Sequence, residues 1–204
     1  MAYAVLSRAL SIVYLSIVLV LGQETVQDAA RIARDLLTKN NIGTMGTVFP
    51  ADHSLAGQPF ALQEFHASCL HNGSLTLITF PISQHTINIR DSPKHSASIG
   101  VFSNPPGANS PRVSLIGNVT IYSHAVDMPG LQDIRECYVH NHPEARWWLP
   151  DETDIVSHWA RFDPETVYFV GGFGGAHYIG YIPLEVYQDA ESASYSSLLV
   201  QAQG

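Results

Sequence analysis

Residues 165–187 read Glu-Thr-Val-Tyr-Phe-Val-Gly-Gly-Phe-Gly-Gly-Ala-His-Tyr-Ile-Gly-Tyr-Ile-Pro-Leu-Glu-Val-Tyr, two aromatic and β-branched runs on either side of a glycine hinge. Such runs suit a pleated, half-buried surface better than a helix. Gly171, Gly172, Gly174 and Gly175 admit positive φ or the close approach of another group. The segment reads as the closing hairpin of a small barrel. Its glycines either turn the barrel corner or form a wall against a cofactor, and Pro183 ends the second strand and opens a short helix.

The N-terminus limits where such a barrel would work. Arg8 is followed by an apolar run from Ala9 to Leu21 and then by Gly22 and polar Gln23-Glu24, the layout of a secretory signal peptide over residues 1–22. The run is shorter than the roughly 20 residues a spanning helix needs, so no stable membrane insertion is expected once it is cleaved. The remainder reads as one domain, 23–190, with a flexible tail, 191–204. A formal net charge of −8 argues against nucleic acid as a partner. The expected location is secreted, or in an endomembrane or vacuolar lumen.

Thr25 to Lys39 carries apolar residues at helical spacing and ends at Lys39-Asn40-Asn41. Strands follow over 43–49, 59–70, 74–80, 96–103, 113–122, 166–170 and 177–182, with helices at 83–90 and 129–141 between them. The order predicts an α+β split β-barrel of six to seven mainly antiparallel strands with flanking helices. Asn72-Gly73 predicts a tight hairpin turn. The acids Asp151-Glu152-Thr153-Asp154, after Trp147-Trp148-Leu149-Pro150, predict a helix start behind an apolar anchor.

Asn72-Gly73-Ser74 and Asn118-Val119-Thr120 are acceptor sites for N-linked glycans, at Asn72 and Asn118. Cys69 and Cys137 either pair or remain two buried thiols. The ten histidines are scattered. Only His140-x-His142 is close, and its place at a helix end before Pro143 favours a cap or solvent over a metal pair, so no metal site is expected. Trp147, Trp148 and Trp159 read as core or dimer packing ahead of flavin stacking. No Gly-x-Ser-x-Gly elbow marks a hydrolase, and no catalytic residue can be named.

The segments Ala30-Arg31-Ile32-Ala33-Arg34, Gly43-Thr44-Met45-Gly46-Thr47, Gly57-Gln58-Pro59-Phe60-Ala61, Ser83-Gln84-His85-Thr86-Ile87-Asn88-Ile89, Leu115-Ile116-Gly117-Asn118-Val119, His142-Pro143-Glu144-Ala145 and Val170-Gly171-Gly172-Phe173-Gly174 fall in one order. In that order they resemble the pyridoxamine-phosphate-oxidase-like, FMN-binding split-barrel superfamily, and within it the secreted CREG-type β-barrel proteins. The resemblance implies a homodimer, glycans, and an FMN phosphate held by a hydroxyl and basic side chains near residues 81–88. Ser83, Gln84, His85 and Thr86 are the matching cofactor positions, with Gln84 where an arginine often stands. Two functions stay open: an FMN-dependent oxidoreductase acting on a small molecule, or a non-catalytic secreted glycoprotein acting through protein binding. Haem binding is a weaker third, because haem-handling relatives share the barrel.

Overall fold

The structure, a computed structural model, describes residues 23–191; the expected signal peptide and nearly all of the expected tail lie outside them. Helix α1 (Val26–Lys39) starts where the sequence places it, because Thr25 forms a capping box with Asp28: its hydroxyl accepts from the Asp28 N–H, and its own N–H donates back to the Asp28 carboxylate. Its buried stripe is Ala29, Ala30, Ala33, Leu36 and Leu37, packed against the barrel interior.

The strands are β1 (Ile42–Val48), β2 (Pro59–Ala67), β3 (Leu75–Thr79), β4 (Ser96–Phe102), β5 (Arg112–Ile121), β6 (His158–Val170) and β7 (Ile179–Ile182). Helices α2 (Gln84–Asp91), α3 (Leu131–Asn141) and α4 (Leu184–Asp189) lie between and after them. All strand pairs are antiparallel, in the order β3-β2-β1-β4-β5-β6-β7, and a β3–β6 pairing closes the first six into a barrel. The fold is the α+β split barrel that the strand order predicts.

The split lies in β6. Residues 158–162 pair with β3 and residues 167–170 pair with β7, so one edge of the same strand changes partner midway. A bulge opposite Ile116/Gly117 marks the change, and it accommodates Pro164, which has no N–H to give a ladder. The half of β6 before Thr166 is absent from the sequence reading, which starts this strand at 166.

Register explains the core. Met45, Ile99, Leu115, Val167 and Ile182 stand side by side across β1, β4, β5, β6 and β7, and each is at most 3% exposed. On the outside, Trp159 and Ile78 form a neighbouring pair that α3 covers through Ile134 and Tyr138. The cover is tied down by a disulfide between Cys69 and Cys137, which settles the pairing the sequence leaves open.

Two local expectations are corrected. The β2–β3 connection is a seven-residue loop rather than a tight hairpin. Gly73 is needed there at φ 80° because the Tyr187 ring lies over it, its carbonyl accepting from the Tyr187 hydroxyl. The acidic run starts no helix: Asp151 adopts φ 59° and accepts from the Ala125 N–H, while Glu152 takes a two-pronged contact from Arg135 on α3. Tertiary partners claim both acids.

Candidate functional site

The predicted cofactor positions lie at the start of α2, and the structure sends their side chains in different directions. Ser83 is the N-cap residue, with its hydroxyl in no capping bond. Gln84 Nε2 donates to Asn88 Oδ1 at 2.8 Å, Asn88 Nδ2 donates to Thr47 Oγ1 at 3.0 Å, and Thr47 Oγ1 lies 3.0 Å from His85 Nδ1. Thr47 Oγ1 accepts from Asn88 and shares a further hydrogen bond with His85 Nδ1, while His85 Nε2 is buried without a hydrogen-bond partner. His85 is 2% exposed and packs on the Phe60 ring. Burial pushes its pKa down, with the Leu62 backbone opposing.

These contacts clamp α2 onto β1. They leave Gln84 and His85 engaged inward, and Thr86 faces a separate cavity of about 370 Å³ bounded by Arg90, His95, Thr120, Ser123 and His158. That cavity runs along α2 from Pro81 and Thr86 to Arg90, and beside its far end Ile89 O accepts from His95 Nδ1. Arg90 sits 3.7 Å from Asp91. Ser83, Gln84, His85 and Thr86 therefore do not converge on one point.

A second cavity escapes the sequence reading. It is about 300 Å³, bounded by β2, β3, α3 and the turn after α3, with Glu64, Phe65, Phe80, Tyr138, His142 and Trp148 in its walls. Glu64 lines it where β2 parts from β3, beyond the His66–Leu77 pair. Burial pushes its carboxyl up to about 7, against a backbone hydrogen bond at Phe65. His142 caps α3, as its position before Pro143 suggests, and its Nε2 lies 2.8 Å from His66 O. Alternation gives no signal for it, since Leu62, two residues before Glu64 on β2, is 60% exposed.

Glu24 explains the glycine hinge. Its carboxylate accepts from the Tyr178 N–H at 2.9 Å and occupies the space where a side chain on Gly171 would stand. A side chain on Gly172 would press on His177 and the Asn109 carbonyl. Here the glycines admit the N-terminal segment and a neighbouring loop. Asn72 is exposed in the β2–β3 loop, while Asn118 lies on β5 with its amide donating to Glu165 at 2.6 Å. Among the described residues no group of three or more His, Cys, Asp or Glu is placed to hold a metal, and no helix is long and apolar enough to cross a membrane.

A closed antiparallel barrel whose sixth strand changes partner, with helices at its wall, defines a split-barrel protein. The chain belongs to the CREG β-barrel family, whose model matches residues 24–189. No curated protein matches the chain in sequence.

Among solved structures it is similar to a heme binding protein from Mycobacterium smegmatis, with TM-score 0.63 and 24% identity over 80% of this chain and 61% of that one. It is also similar to a protein of unknown function from Agrobacterium tumefaciens, with TM-score 0.59 and 18% identity over 85% and 65% of the two chains. A third is a Clostridium acetobutylicum protein related to general stress protein 26, of the pyridoxinephosphate oxidase family, with TM-score 0.53 and 12% identity over 79% and 99%. The chain thus spans less than two thirds of the first two proteins' length. At these identities the likeness is one of fold.

Proposed function

We propose that the protein is a non-catalytic split-barrel binding module of the secretory pathway, acting as a homodimer rather than as a flavin-dependent oxidoreductase. The observation that carries this reading is the Gln84–Asn88–Thr47–His85 network. FMN, when bound, supplies hydride and electron transfer, and the protein's task is to hold and orient it. Its phosphate needs charge-assisted donors. At α2 the matching positions offer a neutral, inward-turned imidazole and an amide already bonded along the helix, and they offer no lysine or arginine. The Ser83 and Thr86 hydroxyls and the amides of one short helix remain, with no cation among the four matching positions to offset desolvation of a dianion. The donor set does not fit the cofactor.

The homodimer reading is supported by the outer face of the barrel. Thr44, Gly100, Ser114, Tyr168 and Tyr181 form one row across β1, β4, β5, β6 and β7, flanked by exposed Phe102, Ile116 and Ile179. No helix covers this row; the outward charges along these strands are Arg112 and, past the bulge, Glu165 and the mutually paired Arg161 and Asp163. An uncovered sheet face with exposed apolar side chains and few unpaired charges suits a second copy of itself. The secretory route is supported by the Cys69–Cys137 disulfide, which persists in oxidising compartments, and by the exposed acceptor residue Asn72.

A visible absorption spectrum tests the reading, taken on the purified protein and again after incubation with excess FMN and desalting. The expected result is no retained flavin absorbance. Retained flavin that is lost in a Ser83→Ala/His85→Ala variant would restore the oxidoreductase reading. A Soret band would instead ally the chain with the heme binding protein it resembles in fold.

A further inference from the structure

The cavity between β2, β3 and α3 has a composition that selects one kind of ligand. Its walls carry the aromatic rings of Phe65, Phe80, Tyr138 and Trp148, two carboxylates, Glu64 and Glu144, and neither lysine nor arginine. We propose that this cavity is a binding site for a small organic cation, an ammonium or quaternary ammonium head on an apolar body. The proposal goes beyond the binding-module reading and does not depend on the dimer face, which lies on another wall of the barrel.

The polar groups are committed in a way that leaves only acceptors for a ligand. The Tyr138 hydroxyl donates to the Phe65 carbonyl at 3.3 Å. His142 Nε2 donates to the His66 carbonyl at 2.8 Å, and His142 Nδ1 stands 3.6 Å from Glu144. Among the described residues no lysine or arginine is within ion-pair distance of Glu64. An unpaired carboxylate beside buried aromatic rings is costly, and a cation removes that cost twice, through the charge pair and through the ring faces.

The same features refuse anions. A phosphate or carboxylate would meet two like charges with no donor to compensate. Burial against these walls raises the Glu64 carboxyl to about 7, the direction expected where no cation stands beside it. A cavity of about 300 Å³ admits a single-ring amine and excludes a peptide chain. The other titratable groups in the cavity walls are Tyr138, His142 and Glu144, so an ionised Glu64 meets no lysine or arginine there.

The test is calorimetric titration of the intact protein at pH 8 with phenyltrimethylammonium and with tert-butylbenzene, which has the same shape without the charge. The cation is expected to bind at least tenfold more tightly than its neutral isostere. Glu64→Gln is expected to weaken the cation at least tenfold and leave the isostere unchanged. Glu144→Gln, at a more exposed position, gives the same sign with a smaller factor and protects the test should Glu64→Gln fail to fold. Equal affinity for the two compounds, undiminished cation binding in the folded variants, or no heat from the cation at millimolar concentration would each overturn the proposal.

Discussion

His66 is fully buried on β2 with neither ring nitrogen in a hydrogen bond, and burial, reinforced by nearby His142, pulls its pKa down to about 4. A histidine depressed from 6.5 to about 4 is neutral at no cost above pH 6.5, and the fold loses stability as pH falls through that window. The loss is expected to reach on the order of 3 kcal/mol by pH 4. Glu64, two residues earlier on β2, has the opposite sign: raised from 4.5 to about 7, it favours the fold below pH 4.5 and withdraws that support as pH rises through 7. Urea unfolding at steps from pH 4 to 8 separates the two. Relative to wild type, His66→Leu should flatten the acid limb, and Glu64→Gln should flatten the limb between pH 4.5 and 7. Parallel curves for wild type and either variant would show that the residue does not titrate with folding. His85 shows why such residues are hard to read in advance. Its place after Ser83 marks it as a phosphate candidate, yet the ring's direction is decided by Thr47, 38 residues earlier.

The element that makes this barrel split is β6, and Gly117 on β5 is the position that tolerates its bulge. A Cβ on Gly117 would overlap the Asp163 carbonyl, which belongs to backbone and cannot swing away. Gly117→Ala is therefore expected to cost about 3 kcal/mol or more, as overpacking against a rigid neighbour does. Gly100→Ala is the control: the nearest atom to its new methyl is Thr44 O at 3.9 Å, so its melting temperature should stay close to wild type. Equal shifts in the two variants would mean that the bulge relaxes freely. The elements that the sequence shows plainly are those whose cause is local. Helix α1 carries its own cap and stripe, and β4 and β5 alternate cleanly. What it hides is set by distant partners. Residues 158–165 form a strand because β3 and β5 hold them, and Asp151 and Glu152 leave the helical path for Ala125 and Arg135. The β2–α3 cavity is hidden for the same reason, since its walls come from three stretches that only folding brings together.

At the scale of the whole molecule the barrel has a covered side and a bare one. On the covered side α3 lies over Trp159 and Ile78, fastened by a disulfide that closes a loop of 68 residues. Cys137→Ala is expected to lower stability by about 4 kcal/mol on the chain-entropy account, measurable by urea unfolding under non-reducing conditions. On the bare side Ile116 is 48% exposed and Tyr181 is 67% exposed; Arg112 at one end is turned to the carbonyls of Ala108 and Ser110, and Arg161 and Asp163 at the other pair with each other. A chain with net charge −8 has ample means of keeping a face charged, and this one is left apolar. If two copies meet there, Ile116→Arg places two like charges near the middle of a desolvated interface, which costs several kcal/mol. Ile116 lies outside the core, so the variant should fold with a near-native circular dichroism spectrum. Light scattering at micromolar concentration should give the mass of a dimer for wild type and of a monomer for Ile116→Arg. Val126→Arg, at a residue 81% exposed and away from the sheet, should leave the dimer intact. A wild-type monomer would remove the homodimer from the proposed function, and an Ile116→Arg dimer would move the contact to another face.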